Sequence, residues 1–227
     1  MHIGKYFDQI ICINRVSRTD RRRHAAAQAI RCELFDHDNF QFFTAHDGHM
    51  LDGTFNGNFG CTASHRGVLE LIAHHGWERT LVLEDDFDVV EPGRYADHAK
   101  NRLPFNEQWA KMIGEVPDDW EMLYLGGHYA EAPIARVSEH VIRIGRMLTT
   151  SSYGITAKFA RKIAPHISGI GPIDVLYGGF HRENRCYCFT PRLMVQYENL
   201  SDLQHRKMDN SQCMLDPNHE AMVPFSD

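Results

Sequence analysis

Thr80-Leu81-Val82-Leu83-Glu84-Asp85-Asp86 sets an unbroken apolar run directly against three consecutive carboxylates. The apolar part has the composition of a strand buried on both faces, as in a parallel sheet whose two sides are covered by helices. In open α/β sheets, ligands bind in the crevice beyond the carboxyl ends of the strands. Three acidic side chains at such an end repel one another unless a cation, or a metal carried by a diphosphate, sits among them. A solvated acidic turn is the alternative.

The flanking sequence supports an α/β layout. Gln9 to Asn14 is a first apolar strand. Thr19 is placed to cap a helix through Ile30 that is rich in alanine and arginine. Phe40 to Ala45 is a second strand, so the chain opens with a β-α-β unit. His46 to Gly60 carries Gly48, Gly53, Gly57 and Gly60 among Asp and Asn residues, which is the chemistry of a long binding loop. A helix over Cys61–His75 follows, with Ser64, Val68, Leu71 and Ile72 on one stripe and Gly76 at its end.

Past the acidic strand, Pro104 starts a helix with Phe105, Trp109, Met112 and Ile113 on one face. Trp120 to Leu125 is a further strand, ending at Gly126-Gly127. The pattern then changes. Val137–Ile144 and Met147–Ile155 read as short antiparallel strands, and Thr156 caps a helix stopped near Pro165. Ile173–Tyr177 is a short apolar element, and Arg185–Gln196 a late strand interrupted at Pro191. The expected architecture is one domain over residues 1–227. Residues 1–127 form an α/β half, parallel by inference, and residues 128–227 a mixed half.

Composition limits the function classes. A net charge of −6 argues against a nucleic-acid binder, which needs a basic patch to release counterions. No apolar run approaches the roughly 18 residues of a membrane span, and Met1–Asp8 lack the long apolar core of a secretory signal. A cytoplasmic location is the expectation, with peripheral membrane contact compatible with it. The six cysteines form no CxxC pair and show no zinc-ligand spacing, so free thiols are expected, with a zinc site built from them and the histidines as the alternative. No P-loop or GxGxxG is present. Arg15, Arg18, Arg21, Arg22 and Arg23 form the richest basic spot; they suit phosphate recognition or decorate a solvated helix face.

A set of pieces in order completes the reading. They are Ile13-Asn14, Asp20-Arg21, Ala45-His46-Asp47-Gly48, Gly60-Cys61 with Ser64-His65, and Leu83-Glu84-Asp85-Asp86. Tyr153-Gly154, Ile173-Asp174 and Gln196 before Ser201-Asp202 follow. Together they resemble glycosyltransferase family 25, the lipooligosaccharide and collagen galactosyltransferase group, from about residue 9 to about residue 205. The resemblance implies a GT-A-like fold, with residues 1–127 as the nucleotide-sugar-binding half and residues 128–227 as the acceptor half. It also implies inverting transfer of a hexose (galactose or glucose) from a UDP-sugar to a glycan or glycoconjugate hydroxyl, assisted by manganese (Mn2+) or magnesium (Mg2+). By the same resemblance Asp86 is a metal ligand, Glu84 lies near the ribose or the metal, and His205 is a late candidate for the metal. Asn14, Arg21, Asp47, Ser64 and Asp85 lie around the nucleotide, and Asp174 faces the acceptor as general base. His65 either points at the nucleotide through its helix or is satisfied by a local hydrogen bond.

Two departures stand out. Arg15-Val16-Ser17-Arg18 lacks the aspartate common at that point in the family, and Gly178-Gly179-Phe180-His181-Arg182 looks like an inserted turn, either a plain loop or one that reshapes the acceptor site. The chain is also short for the family. A catalytically weak binding module for a nucleotide sugar or glycan is the alternative function, and a metal-dependent phosphohydrolase a third. Glycoside hydrolysis needs two carboxylates flanking a sugar, which neighbours at one strand end cannot do.

Overall fold

Alternation along the central strands decides which helices lie on which side. In a strand, successive side chains face opposite ways. Ile10, Cys12, Leu81 and Leu83 accordingly join one buried cluster, while Ile11, Ile13 and Val82 join another. The computed structural model describes residues 1–35, 38–92, 103–169, 171–197, 199–200, 207–208 and 211–215. In chain order its elements are α1 (Ile3–Tyr6), β1 (Gln9–Asn14), α2 (Thr19–Arg31), β2 (Phe40–Thr44), α3 (Gly57–His75), β3 (Arg79–Glu84) and β4 (Phe87–Val89). These are followed by α4 (Phe105–Ile113), β5 (Met122–Tyr124), β6 (His128–Glu131), β7 (Ala135–Arg136), β8 (Val141–Arg143), β9 (Arg146–Leu148) and β10 (Ser152–Thr156). The last are α5 (Ala157–Ile163), α6 (Ile173–His181), β11 (Cys186–Phe189), β12 (Met194–Gln196), β13 (Asn199–Leu200), β14 (Lys207–Met208) and α7 (Ser211–Leu215).

Eight strands make the main sheet, in the order β2-β1-β3-β10-β5-β11-β8-β7. The pairs β1–β2, β1–β3 and β5–β11 are parallel, while β10 runs antiparallel to both its neighbours. The α/β class expected from the sequence is therefore observed, with a parallel opening unit. Strands from both sides of residue 127 interleave in one sheet: β10 sits between β3 and β5. Since β10 is reversed, its first residues lie at the same edge as the carboxyl ends of β1 and β3. That is how Thr149 and Thr150 reach the acidic turn.

Local chemistry corrects several expected boundaries. Helix α3 begins four residues early, at Gly57, because the Asn56 side chain accepts a hydrogen bond from the Phe59 amide and caps it there. Thr19 lies inside α2 rather than capping it; Arg18 holds the cap position and its guanidinium bonds the Asp20 carboxylate instead. Met147–Ile155 divides into β9 and β10, in different sheets, and Arg185–Gln196 divides likewise into β11 and β12. Val137–Ile144 contributes only β8, which pairs antiparallel with β7, just before that stretch.

The apparent insertion at Gly178–Arg182 is the end of α6 and its cap. Gly178 packs so closely on Arg146 that a Cβ there would lie 2.8 Å from the guanidinium Nε. His181 is buried in this helix. Its Nδ1 accepts from the Met147 amide at 3.2 Å, so its Nε2 carries the proton toward the Tyr124 hydroxyl, 3.1 Å away. Burial, with the nearby Arg146 charge adding to it, lowers the His181 pKa to about 4.

A depressed histidine stabilises the fold while neutral. Its contribution is complete above the ordinary value near 6.5 and is lost as pH falls toward 4. His181→Gln should therefore flatten the acid limb of unfolding free energy against pH between about 6.5 and 4, a span worth up to ~3 kcal/mol. Urea titrations at a series of pH values check this; an unchanged slope would assign the acid limb to other groups.

Candidate functional site

The carboxyl ends of β1 and β3 meet because their register places Ile13 beside Glu84. Asn14 and the turn Glu84-Asp85-Asp86 therefore share one end of the sheet. A cleft of about 570 Å3 opens there, within the size range of small-molecule sites. Its walls include Arg21 from α2, Asp47 from the glycine-flanked loop, Ser64 and His65 from α3, Glu84 to Asp86, Thr149, Thr150, Asp174 and Gln196. Asn14 stands just behind, 2% exposed. Every sequence-expected site residue except His205 is thus brought to one place. His205, with Ser201 and Asp202, lies outside the described residues.

The three carboxylates are answered separately. Asp85 accepts from the Asn14 amide nitrogen at 2.7 Å and from an Arg21 guanidinium nitrogen at 2.9 Å. The same Arg21 nitrogen lies 3.3 Å from Asp86, whose carboxylate also accepts from the Gln196 side-chain amide at 3.0 Å. Glu84 turns the other way. Its Oε1 accepts from the Thr150 hydroxyl at 2.6 Å and lies 3.3 Å from His65 Nε2. The cation that the sequence demanded is therefore, for two of the three carboxylates, part of the chain. Among the described residues, no three carboxylates converge as a preformed oxygen cage.

Titration follows from these partners. Burial pushes Asp86 up to about 7; Arg21 opposes this and the charges of Glu84 and Asp85 reinforce it. Burial likewise raises Asp85, against Arg21 and the Asn14 amide. Burial also pushes at Glu84, but there the His65 ring and the Thr150 hydroxyl win and hold it below its ordinary value.

His65 has a definite environment. It is 1% exposed, with Nδ1 2.8 Å from the Tyr153 hydroxyl, which in turn lies 3.1 Å from the Tyr177 hydroxyl. The imidazole is thus part of a buried chain ending on Glu84, which favours the local-hydrogen-bond reading over direct contact with a nucleotide. Ser64 has a supporting place as well. Its hydroxyl donates to the Gly60 carbonyl at 2.6 Å and accepts from the His46 amide at 2.8 Å, fastening the glycine-rich loop to α3. Gly60 is needed there, since a Cβ would meet the Gly48 backbone at 2.8 Å.

Asp47 is exposed in that loop and accepts from the His49 amide at 3.0 Å, the bond that chiefly lowers its pKa. Arg15 lies over the Phe55 ring at 5.9 Å, on the same side of the cleft. Arg22 and Arg23 are exposed, Arg22 stacking on Phe42 at 3.9 Å, as expected for a solvated helix face.

Asp174 is half-buried in the first turn of α6. It accepts from the Thr149 amide at 3.2 Å and from the Val175 amide at 2.8 Å. Thr149 has φ 70°, a left-handed conformation that a β-branched residue rarely adopts. Its hydroxyl lies 3.1 Å from His128 Nδ1. Thr149 and Thr150 carried no motif signal: they enter the site only because β10 is reversed. Tyr177 is likewise legible only as an apolar residue of α6. Cys61 and His65, by contrast, stand four apart on one helix face, a spacing visible in sequence that a search for CxxC pairs passes over.

Arg21→Met removes the guanidinium at similar length and leaves two buried carboxylates unbalanced. Loss of one partner of a buried pair costs on the order of 3–5 kcal/mol. Urea unfolding at pH 8 in EDTA should show a loss of that order, smaller in the Asp85→Asn background. A loss below about 1 kcal/mol, the range of exposed pairs, would show that Arg21 is not the balancing charge.

No protein-family model matches the chain. One curated relative, the probable inactive glycosyltransferase 25 family member 3 of Bos taurus, is 24% identical over 182 residues. That match covers 69% of this chain and 28% of the relative, so the chain spans under a third of that protein's length. Among solved structures, A197 from STIV matches at 11% identity and TM-score 0.46, over 88% of this chain and 93% of that one. A glycosyltransferase involved in the glycosylation of the major capsid of PBCV-1 matches at 11% identity and TM-score 0.40, over 80% and 92%. UDP-glucose pyrophosphorylase complexed with UDP-glucose matches at 14% identity and TM-score 0.39, over 80% and 72%. In sequence, the chain is similar to a glycosyltransferase-family protein.

Proposed function

We propose that the protein is a glycosyltransferase of the family-25 type, with a GT-A-like fold, moving a hexose from a UDP-sugar to a hydroxyl of a glycan or glycoconjugate. One observation carries this reading. Residues from Asn14 to Gln196, matched to the family piece by piece, gather at one cleft at the carboxyl edge of the sheet. The similarity to a family-25 relative supports it as well.

The chemistry would run as follows. The Asp174 carboxylate accepts the proton of the acceptor hydroxyl as its oxygen attacks the anomeric carbon. The bond from that carbon to the diphosphate oxygen breaks on the opposite side, and the electron pair leaves with UDP, so configuration inverts. The Thr149 and Val175 amides orient the base. Holding donor and acceptor together in one cleft supplies much of the acceleration. Mn2+ or Mg2+ carried in on the diphosphate would be held by Asp86, and by Glu84 where its side chain leaves Thr150 and His65, rather than by a full protein cage. Such an ion would neutralise charge gathering on the leaving diphosphate.

A second reading has its own support: a binding module with little turnover. Arg21 already offsets Asp85 and Asp86, which lessens the need for a metal, and the curated relative is itself named as probably inactive.

The deciding experiment follows UDP release from a panel of UDP-sugars with and without acceptors, in manganese and in EDTA. The transferase reading expects acceptor-dependent release that EDTA and Asp86→Ala both abolish. Release that survives both rejects the metal role. Binding of a UDP-sugar with no turnover across a broad acceptor panel selects the binding module. Asp174→Asn should lower kcat by about 10²–10⁴-fold while donor affinity is retained; if donor binding goes instead, Asp174 is not the base.

A further inference from the structure

The side chains of Cys61, His65 and Glu84 each bring a ligand atom to one spot, all within 4.8 Å of one another, on the wall of the cleft. Cys61 and His65 are one helical turn apart on α3, so they share a face. Glu84 ends β3 directly opposite them. We propose that this triad is a binding site for a thiophilic divalent cation of the zinc type, with its fourth position open to the cleft.

Three features carry the assignment. The first is the ligand set: thiolate, imidazole and carboxylate together suit a borderline-soft ion, not the hard manganese or magnesium of an all-oxygen site. Ligand atoms around a tetrahedral zinc lie roughly 3.3–3.7 Å apart, given bonds of about 2.0–2.3 Å. The 3.3 Å between His65 Nε2 and Glu84 Oε1 already meets that spacing.

The second is the support behind the ligands. A metal-bound histidine almost always engages a partner through its other ring nitrogen, which fixes its tautomer and direction. His65 does so: Nδ1 is 2.8 Å from the Tyr153 hydroxyl, itself 3.1 Å from that of Tyr177, in a position without solvent access. The Thr150 hydroxyl donates at 2.6 Å to the same Glu84 Oε1 that faces His65, which fixes the position of that oxygen.

The third is charge. Binding replaces the S–H bond of Cys61 with a sulfur–metal bond and sends one proton to water. One thiolate and one carboxylate then neutralise a divalent ion. Asp85, Asp86 and Asp174 line the same cleft, so their carboxylates also favour a cation at this point.

The binding itself does not depend on the transferase reading. If that reading holds, a consequence follows: a thiophilic ion draws Glu84 away from the diphosphate and so inhibits manganese-supported transfer. Zinc would then act as a brake at the donor site.

Cobalt is the probe. Tag-free protein stripped of metal and titrated with Co2+ should take up one equivalent, with the near-ultraviolet band of thiolate-to-cobalt charge transfer. Cys61→Ser, checked by circular dichroism for an unchanged fold, should lose that band. It should also weaken binding by more than the roughly 10–100-fold typical of losing an outer-shell partner. Absence of the band in the wild type, or its survival in Cys61→Ser, overturns the site. If the variant fails to fold, X-ray absorption of the zinc-loaded wild type decides: one sulfur near ~2.3 Å with nitrogen and oxygen neighbours is expected, and none or several sulfurs overturns it. A calorimetric titration with UDP-sugar in manganese separates the two ideas. Donor binding without cobalt charge transfer sinks only the thiophilic site; cobalt binding without donor binding sinks only the transferase reading.

Discussion

The Arg21 guanidinium between Asp85 and Asp86 is the interaction on which the rest of the site depends. Two carboxylates a few ångströms apart and almost out of water repel by several kcal/mol at an effective dielectric constant near 20. A buried arginine at 2.9 and 3.3 Å reverses the sign of that term. Buried ion pairs contribute little net stability, because desolvation takes back most of the attraction. What this pair does contribute is geometry. It ties α2 to the turn after β3, and with Asn14 and Gln196 it holds both carboxylates in one orientation at the cleft wall.

Its effect extends to Glu84, the one member of the run that Arg21 does not touch. With its neighbours engaged, Glu84 is free to turn to Thr150 and His65. Thr150 is there because β10 runs against its neighbours and begins where β1 and β3 end. The residues that complete the cleft are therefore delivered by topology from 66 residues away along the chain. A purely parallel sheet would have placed the start of that strand at the far edge.

Much of this was legible in the residues, and what was not has identifiable causes. Buried strands leave long apolar runs, so β1 and β3 were visible, and the stripe of Phe105, Trp109 and Met112 marked α4. Boundaries were lost where a side chain overrode propensity, as when Asn56 started α3 early. The two glycines of α6 looked like a turn, because sequence cannot show that the Arg146 side chain packs against Gly178. The membership of the cleft followed from family order, but the pairing within it did not. Nothing in Glu84-Asp85-Asp86 says that one carboxylate faces a histidine and two face an arginine. That division depends on contacts spanning 19 to 110 residues.

Glu84 is consequently the residue where the chemistry of the site is decided. Its backbone is fixed by the hydrogen bond from its amide to the Ser151 carbonyl at 2.9 Å, so only its side chain can choose among partners. Three carboxylates less one guanidinium leave two negative charges to be met. With no ion bound, a proton shared at Asp86, whose pKa stands at about 7, meets part of that excess. A divalent ion among the carboxylates can meet all of it, whereas one beside Cys61 gives half its charge to the thiolate; which position is taken depends on ligand preference. A hard ion gains most among carboxylate and diphosphate oxygens; a softer one gains most beside the Cys61 sulfur. Both proposed positions draw on Glu84, and one carboxylate cannot serve two ions with equal strength. Occupation of either would therefore weaken the other.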